Sequence, residues 1–327
     1  MIKSIIIKIA IVLAGILIVL LGRGLFYYSG FYSPPPSEMP SYEDIIAPTT
    51  PSTEFSDIYA EEEGTILIDV AHENAFDIEE LNVLTLRLIS RGLTIEFFSV
   101  EDDLEKELLG KEEDEEESSE EEEPIEEEEK QENELLAEEK EEEELQMADV
   151  FIIVCPLKVF PREEIETIDE FVNNGGKLLL IADPTRRSNM NSLSVEFGLV
   201  FEPDYLYNLK ENDANYRNIF ITEFKENEIT KELQKIALYT AGSISSDEGG
   251  IAFGDENTFS SLIETRKGMA PIALTEESKV LAIHDLTFIT EPHNGVFDNN
   301  QLISNIADWL ASPVAEEVEE EETQEKD

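Results

Sequence analysis

Short runs of consecutive apolar positions recur through this chain, separated by stretches with helical periodicity. Residues 65–70, 93–100, 149–155, 177–181 and 280–284 are apolar at neighbouring positions, the pattern of strands buried on both faces. Between the first two, residues 77–91 place Ile78, Leu81, Leu84, Leu88 and Ile89 on one helical face, and residues 162–172 predict a second helix. Asn173, Asn174, Gly175 and Gly176 end that helix, because Asn and Gly both tolerate the left-handed conformation of a C-cap. A last helix over 300–311 presents Leu302, Ile303, Ile306, Trp309 and Leu310 to a core. Strands apolar on both faces that alternate with amphipathic helices predict an α/β fold, a flavodoxin- or Rossmann-like, mostly parallel sheet with helices on both faces. The pattern loosens after Pro184: 188–197 reads as helical, 198–201 as extended, and 236–239, 251–253 and 271–273 as short strands.

The N-terminus has a different pattern. Residues 9–21 are uninterruptedly apolar, and 5–26 reach the roughly 20 residues that a bilayer-spanning helix needs. Lys8 and Arg23 lie near the ends of that stretch, where their stems can carry the charge to the headgroups. Phe26, Tyr27, Tyr28, Phe31 and Tyr32 follow as an interfacial aromatic belt. Lys3, Lys8 and the amino terminus precede the span and only Arg23 closely follows it, which favours a cytoplasmic N-terminus with the remainder outside. A single-pass anchor in the cell membrane over residues 1–30 is therefore expected. A cleaved signal peptide is the alternative, less suited by Arg23 at the small-residue site Gly22-Arg23-Gly24. Residues 31–60, rich in Pro, Ser and Thr, read as a semi-extended spacer.

Charge narrows what remains. The 327-residue chain has a formal net charge of −53, and residues 101–147 hold 27 acidic residues against 4 lysines. Such a block repels itself and buries too little apolar surface to fold, so it is expected as an insertion, with a second acidic tail at 313–327. Leu104, Leu108, Leu135, Leu136 and Leu145 are candidates for helix fragments at the edges of the insertion. The folded domain is then 61–312, interrupted by that block. No cluster of Lys and Arg exists to displace counterions from phosphates, which argues against a nucleic-acid partner. Nothing calls for a cofactor: Gly175-Gly176 precedes a strand, so it cannot present helix N–H groups to a phosphate.

Three of the apolar runs end in an acid, Asp69, Asp183 and Asp285. The carboxyl ends of parallel strands are where ligands bind in such sheets, so these acids define a candidate site. They admit three readings: caps of the following turns, part of a ligand pocket, or oxygen ligands for Mg²⁺ or Ca²⁺. His72, Asn74, Arg186, Asn191, His293 and Asn294 fall on loops expected at the same rim. Cys155, the single cysteine, ends a predicted strand and has His72 as a possible base, but a buried cysteine also serves as a small hydrophobe.

Several motifs carry a resemblance. Asp69-Val-Ala-His72-Glu-Asn74 follows the first strand, and Asn173 and Asn174 lead into the run from Gly175 to Arg186. Asn191-Ser-Leu-Ser precedes Phe197-Gly198, and residues 280–290 are followed by Asp298-Asn299-Asn300 and by 306–310. Over about 64–311, outside the acidic block, the set resembles membrane-anchored GATase1-like domains, related to class I glutamine amidotransferases. Relatives of those domains accompany gliding-motility and ABC-type transport components. The resemblance implies an accessory or binding subunit of an envelope or transport assembly, with a protein partner. The amidotransferase enzymes carry Gly-x-Cys-x-Gly and His-x-Glu, and neither is present: Cys155 sits in Val154-Cys155-Pro156-Leu157. Catalysis is therefore not expected. A hydrolase or amidase with a non-standard site on Cys155, His72 and the three acids is the alternative.

Overall fold

The computed structural model describes residues 2–28, 55–100, 102–110, 148–213, 215–262, 269–275 and 277–312. The chain divides into two compact units, Met1–Thr49 and Thr50–Asp327. Among its described residues the first contains one helix, α1 (Ile2–Tyr28), whose apolar side chains described between Ile11 and Tyr27 are exposed. Among the described residues no helix is long and apolar enough to cross a membrane. The membrane role of residues 5–26 rests on their sequence.

The second unit is built on an eight-stranded sheet. Strands β1 (Thr65–Asp69), β2 (Thr94–Phe98), β3 (Val150–Val154) and β4 (Lys177–Ile181) come from the N-terminal half. Later in the chain follow β5 (Val200–Phe201), β6 (Leu206–Asn208), β7 (Asn212–Asp213), β8 (Asn215–Ile221), β9 (Glu223–Phe224) and β10 (Ile236–Tyr239). The last five are β11 (Ile244–Ser245), β12 (Gly250–Phe253), β13 (Thr258–Ser260), β14 (Ile272–Leu274) and β15 (Val280–Ile283). The large sheet runs β2-β1-β3-β4-β15-β14-β12-β9. Its first five strands are parallel, in the flavodoxin-like order, and the last three extend it antiparallel.

Alternation along each strand sends side chains into two cores. Ile66, Ile68, Ile152, Val154, Leu179, Ile181 and Ile283 face one side, packed with α2 (Asn82–Ser90) and a C-terminal helix (Asn299–Ala311). Leu67, Phe151, Ile153, Leu178, Leu180 and Ala282 face the other, under α3 (Leu104–Leu109) and α4 (Arg162–Asn173). This two-sided burial is why β1, β3, β4 and β15 read as continuous apolar runs, whereas β2, expected to be buried on both faces, is an edge strand with Thr94, Glu96 and Phe97 exposed.

Several boundaries differ from those read in the sequence. The helix expected over 77–91 starts as a 3-10 turn, Ile78–Leu81, and becomes α-helical only at Asn82. Asp77 and Glu80 form a capping box at its start. Within the acidic block, Asp103 caps α3 through the backbone N–H groups of Glu105 and Lys106, and Leu104 and Leu108 are buried. Gly110 closes α3 in the left-handed conformation, at φ 62°. Residues 111–147, with Leu135, Leu136, Leu145 and the strongly acidic 112–129, lie outside the described residues, as does the 313–327 tail. The segment read as the end of the spacer is docked from Phe55. Asp57 accepts hydrogen bonds from Arg87, Arg91 and Ser304, and the rings of Phe55 and Tyr59 lie under the two guanidinium groups. Arg91 is almost wholly buried and also pairs with Asp308.

Candidate functional site

The ends of β1 and β3 lie side by side where the strand order reverses, the usual ligand position in an open parallel sheet. Here that position is filled by a closed polar cluster. Asp69 Oδ1 accepts the Ala71 N–H at 3.1 Å and faces His72 Nδ1 at 2.9 Å, while Oδ2 accepts the Asn74 side-chain amide at 2.9 Å. Asn74 also donates to the Val154 carbonyl at 2.9 Å, tying the first loop to β3. The other ring nitrogen of His72, Nε2, lies 2.9 Å from Glu164 in the first turn of α4, and the ring stacks on Phe160 at 3.8 Å. Burial alone would lower the His72 pKa, but the hydrogen bonds and charges of Asp69 and Glu164 outweigh it and raise it to about 9. His72 is thus an imidazolium held between two carboxylates, with no lone pair to act as a base.

Cys155 follows β3 at φ 44°, a left-handed conformation costly for a residue with a Cβ. Its N–H donates to the Ile181 carbonyl, and its own carbonyl accepts from Ala75. The side chain is fully buried. Burial, and next the Asp183 carboxylate, push its thiol up to about 12, with Arg186 offsetting only part of the effect.

The other two strand-end acids close turns. Asp183 Oδ1 accepts from the backbone and the hydroxyl of Thr185, and Oδ2 accepts the Leu286 N–H at 3.2 Å. Asp285 accepts the N–H groups of Tyr239 at 2.6 Å and Thr287 at 2.8 Å. Complete burial, and next the charge of Asp183, hold the Asp285 pKa well above the carboxylate range. The capping reading describes all three acids. Among the described residues no group of three or more His, Cys, Asp or Glu is placed to hold a metal ion.

Beside this edge, over the ends of β3, β4 and β15, opens a cleft of about 730 Å³. Asp183, Arg186, Arg187, Asn191, Asp204 and His284 are among its lining residues. Arg186 is engaged: it forks onto Glu80 and donates to the Ala75 carbonyl at 2.8 Å, bridging the loops after β4 and β1. Asn191 accepts the Phe201 N–H and donates to the Phe201 carbonyl, both at 2.8 Å, so it holds β5 against the short helical turn that it begins, Asn191–Ser194. Asp204 accepts from Ser243 and Ser260.

His284 is different. Its Nδ1 lies 3.2 Å from the Ser243 carbonyl, which can only accept, so Nδ1 carries the proton. Burial lowers its pKa, and the Ser243 carbonyl with Asp204, Asp183 and Glu202 offsets this only in part, so the ring is neutral. Nε2 then presents a lone pair and has no partner among the described residues. Only a glycine fits against this ring: a Cβ on Gly242 would come within 2.3 Å of it.

The residues expected on one rim therefore divide among separate places. Asp183, Arg186 and Asn191 line the cleft, whereas Asp69, His72 and Asn74 form the closed cluster beside it. Asp285 is wholly internal. His293 packs on Tyr239 at 4.1 Å, and Asn294 contacts Asn300 at 3.5 Å in the C-terminal helix; neither lines the cleft. Burial lowers the His293 pKa. Sequence reasoning missed Glu164, Asp204 and the role of His284. The signal for His284 was present, since it ends an apolar run immediately before one of the acids.

No family model matches the chain, and no curated protein matches it. Among solved structures, the mmIFT52 N-terminal domain superposes with a TM-score of 0.54 at 12% identity, over 77% of this chain and 99% of that one. The likeness is one of fold alone. A ThuA-like protein from Parabacteroides merdae ATCC 43184 gives a TM-score of 0.40 at 12% identity, over 79% of this chain and 93% of that one. The exo-beta-1,4-mannosidase Op5Man5 from Opitutaceae bacterium strain TAV5 gives 0.36 at 12%, over 78% and 36%. At those scores neither bears on the site.

Proposed function

We propose that this chain is a membrane-anchored, non-catalytic binding or accessory domain of an envelope or transport assembly, working through the cleft over β3, β4 and β15. The carrying observation is the state of the would-be catalytic pair: Cys155 is buried with its thiol pushed up to about 12, and both ring nitrogens of His72 are engaged by carboxylates. A thiolate nucleophile needs the opposite, an electropositive and accessible setting with a free base. The assembly, its protein partner and the kinship with GATase1-like domains are carried by the sequence motifs. The anchor is supported by the apolar run over 5–26 in the sequence. The excess of positive charge before that run supports a cytoplasmic N-terminus and an extracytoplasmic domain.

Iodoacetamide tests this reading directly. The native thiol of Cys155 labels slowly and the denatured thiol rapidly if the site is inert. Rapid native labelling with an apparent pKa below about 7, abolished by His72→Ala, makes the hydrolase reading the correct one.

A further inference from the structure

Beside the cleft lies a second cavity that differs in chemistry. A pocket of about 260 Å³ is lined by Tyr205, Tyr207, Leu209, Tyr216, Ser260 and Ser261, and Tyr205 lines both spaces. Tyr207 and Phe259 are cross-strand partners of β6 and β13, stacked with ring centroids 5.7 Å apart. Tyr216 stands nearly perpendicular to Tyr207 at 6.1 Å, and it is 45% exposed. The Arg217 guanidinium sits 4.3 Å over Tyr205, fixing that ring from one side. Asp204 joins the two walls structurally, because it accepts from Ser243 beneath His284 and from Ser260 in the aromatic pocket.

These two spaces ask for one kind of ligand. On the polar side, the free Nε2 of His284, a ring only 5% exposed, accepts a hydrogen bond and cannot donate one. That nitrogen makes no hydrogen bond to a described residue and His284 lines the cleft, so a partner bearing O–H or N–H groups is its complement. Asp183, Glu202 and Asp204 line the same cleft and disfavour an anion. Arg186 and Arg187 in the cleft, with Arg217 on the tyrosines, disfavour a cation. On the other side, tyrosine faces offer flat, amphipathic area at low conformational cost. The complement is a neutral, hydroxyl-rich molecule with flat apolar faces, long enough to pass Tyr205.

We propose that the His284 cleft and the Tyr205–Tyr207–Tyr216 pocket form one continuous binding site for a neutral oligosaccharide. Its hydroxyl groups donate to His284 Nε2, and its pyranose faces lie on the tyrosines. This names a ligand class for the cleft and so rests on the non-catalytic binding reading given above.

The test uses the full chain in a detergent without a sugar headgroup. Maltotetraose, cellotetraose, mannotetraose and tetra-N-acetylchitotetraose are titrated by calorimetry at neutral pH, each alongside its disaccharide. At least one tetrasaccharide is expected to bind more tightly than its disaccharide, because only the longer ligand occupies both spaces. Tyr205→Ala and Tyr216→Ala, at partly or largely exposed rings, are each expected to weaken binding about tenfold, a single good contact's worth. His284→Phe, which keeps a ring beside Gly242 but removes the acceptor, is expected to weaken it at least as much, with folding checked by circular dichroism. Absence of binding by all four tetrasaccharides up to ~10 mM overturns the proposal. Binding unaffected by all three substitutions does so as well. A synthetic peptide of residues 33–51, rich in proline, that binds in their place would assign the tyrosines to peptide recognition and overturn it too. Cys155 labelling separates the two levels: no sugar binding with an inert thiol removes only the oligosaccharide, whereas a reactive thiol removes the underlying reading.

Discussion

His72 and His284 invite direct comparison. Both follow parallel strands at the same edge of the sheet, and both are 5% exposed. One is nevertheless charged and the other neutral. His72 meets a carboxylate at each ring nitrogen, which turns a buried imidazole into a cationic tie between the β1 loop and α4. His284 meets a backbone carbonyl at one nitrogen and no described residue at the other, so burial prevails and the ring stays a neutral acceptor. Burial sets the cost of charge in both places, and the immediate partners decide whether it is met. The first histidine is structural for that reason, and the second is chemically available.

Removing each ring should expose the contrast. His72→Ala leaves Asp69 fully buried and Glu164 partly buried without their cation, and it should cost about 3–5 kcal/mol in urea unfolding, the usual cost of breaking a buried pair. A loss below about 1 kcal/mol would mean that the two carboxylates do not depend on the imidazolium. His284→Phe should cost less, about 1 kcal/mol, because the Ser243 carbonyl loses the ring N–H but keeps the Glu202 N–H at 2.9 Å. Equal losses would erase the distinction.

Titration should sharpen it further. The folded-state pKa of His72, about 9, lies above its ordinary 6.5. Its stabilising contribution is therefore present in full below about pH 6.5 and is lost as pH rises through about 9. Unfolding of wild type and His72→Phe, compared from pH 6 to 10, should show a decline that is steeper in the wild type. For His284 the folded pKa lies below 6.5, so the unfolded chain takes up the proton first as pH falls, and acidification through that range destabilises the fold. That smaller effect should vanish in His284→Phe.

Much of this edge could be read in the sequence because its parts are local. The Asp69-x-x-His72-x-Asn74 cluster is assembled within one loop, and the two-sided apolar runs that carry it are visible wherever helices cover both faces of a sheet. Leu104 and Leu108 were recognisable inside an acidic run because helical neighbours repeat four positions apart. Glu164 was hidden by distance, 92 residues from the ring that it contacts. The acceptor state of His284 was hidden for a related reason: it depends on Ser243 and Gly242, brought in by a connection whose short antiparallel strands give no strong periodic signal. The aromatic pocket needs the β6–β13 pairing to bring Tyr207 to Phe259, so separate tyrosines in a polar stretch gave no warning of it.

Asp57 gives the molecule a mechanical polarity. The chain enters the second unit beside Arg87 and Arg91, ahead of Thr65 at the start of β1, while the cleft opens at the opposite edge of the sheet, over the ends of β3, β4 and β15. Tension between an N-terminal tether and a molecule held at the cleft would run lengthwise along the sheet, so neighbouring strands would resist by sliding together and not by peeling apart one bond at a time. The Asp57 clamp would meet that load first, passing it to α2 and the C-terminal helix before β1 is strained. In single-molecule pulling from the N-terminus, Asp57→Ala should remove an early, low-force release of residues 55–64 and leave the main rupture of the sheet unchanged.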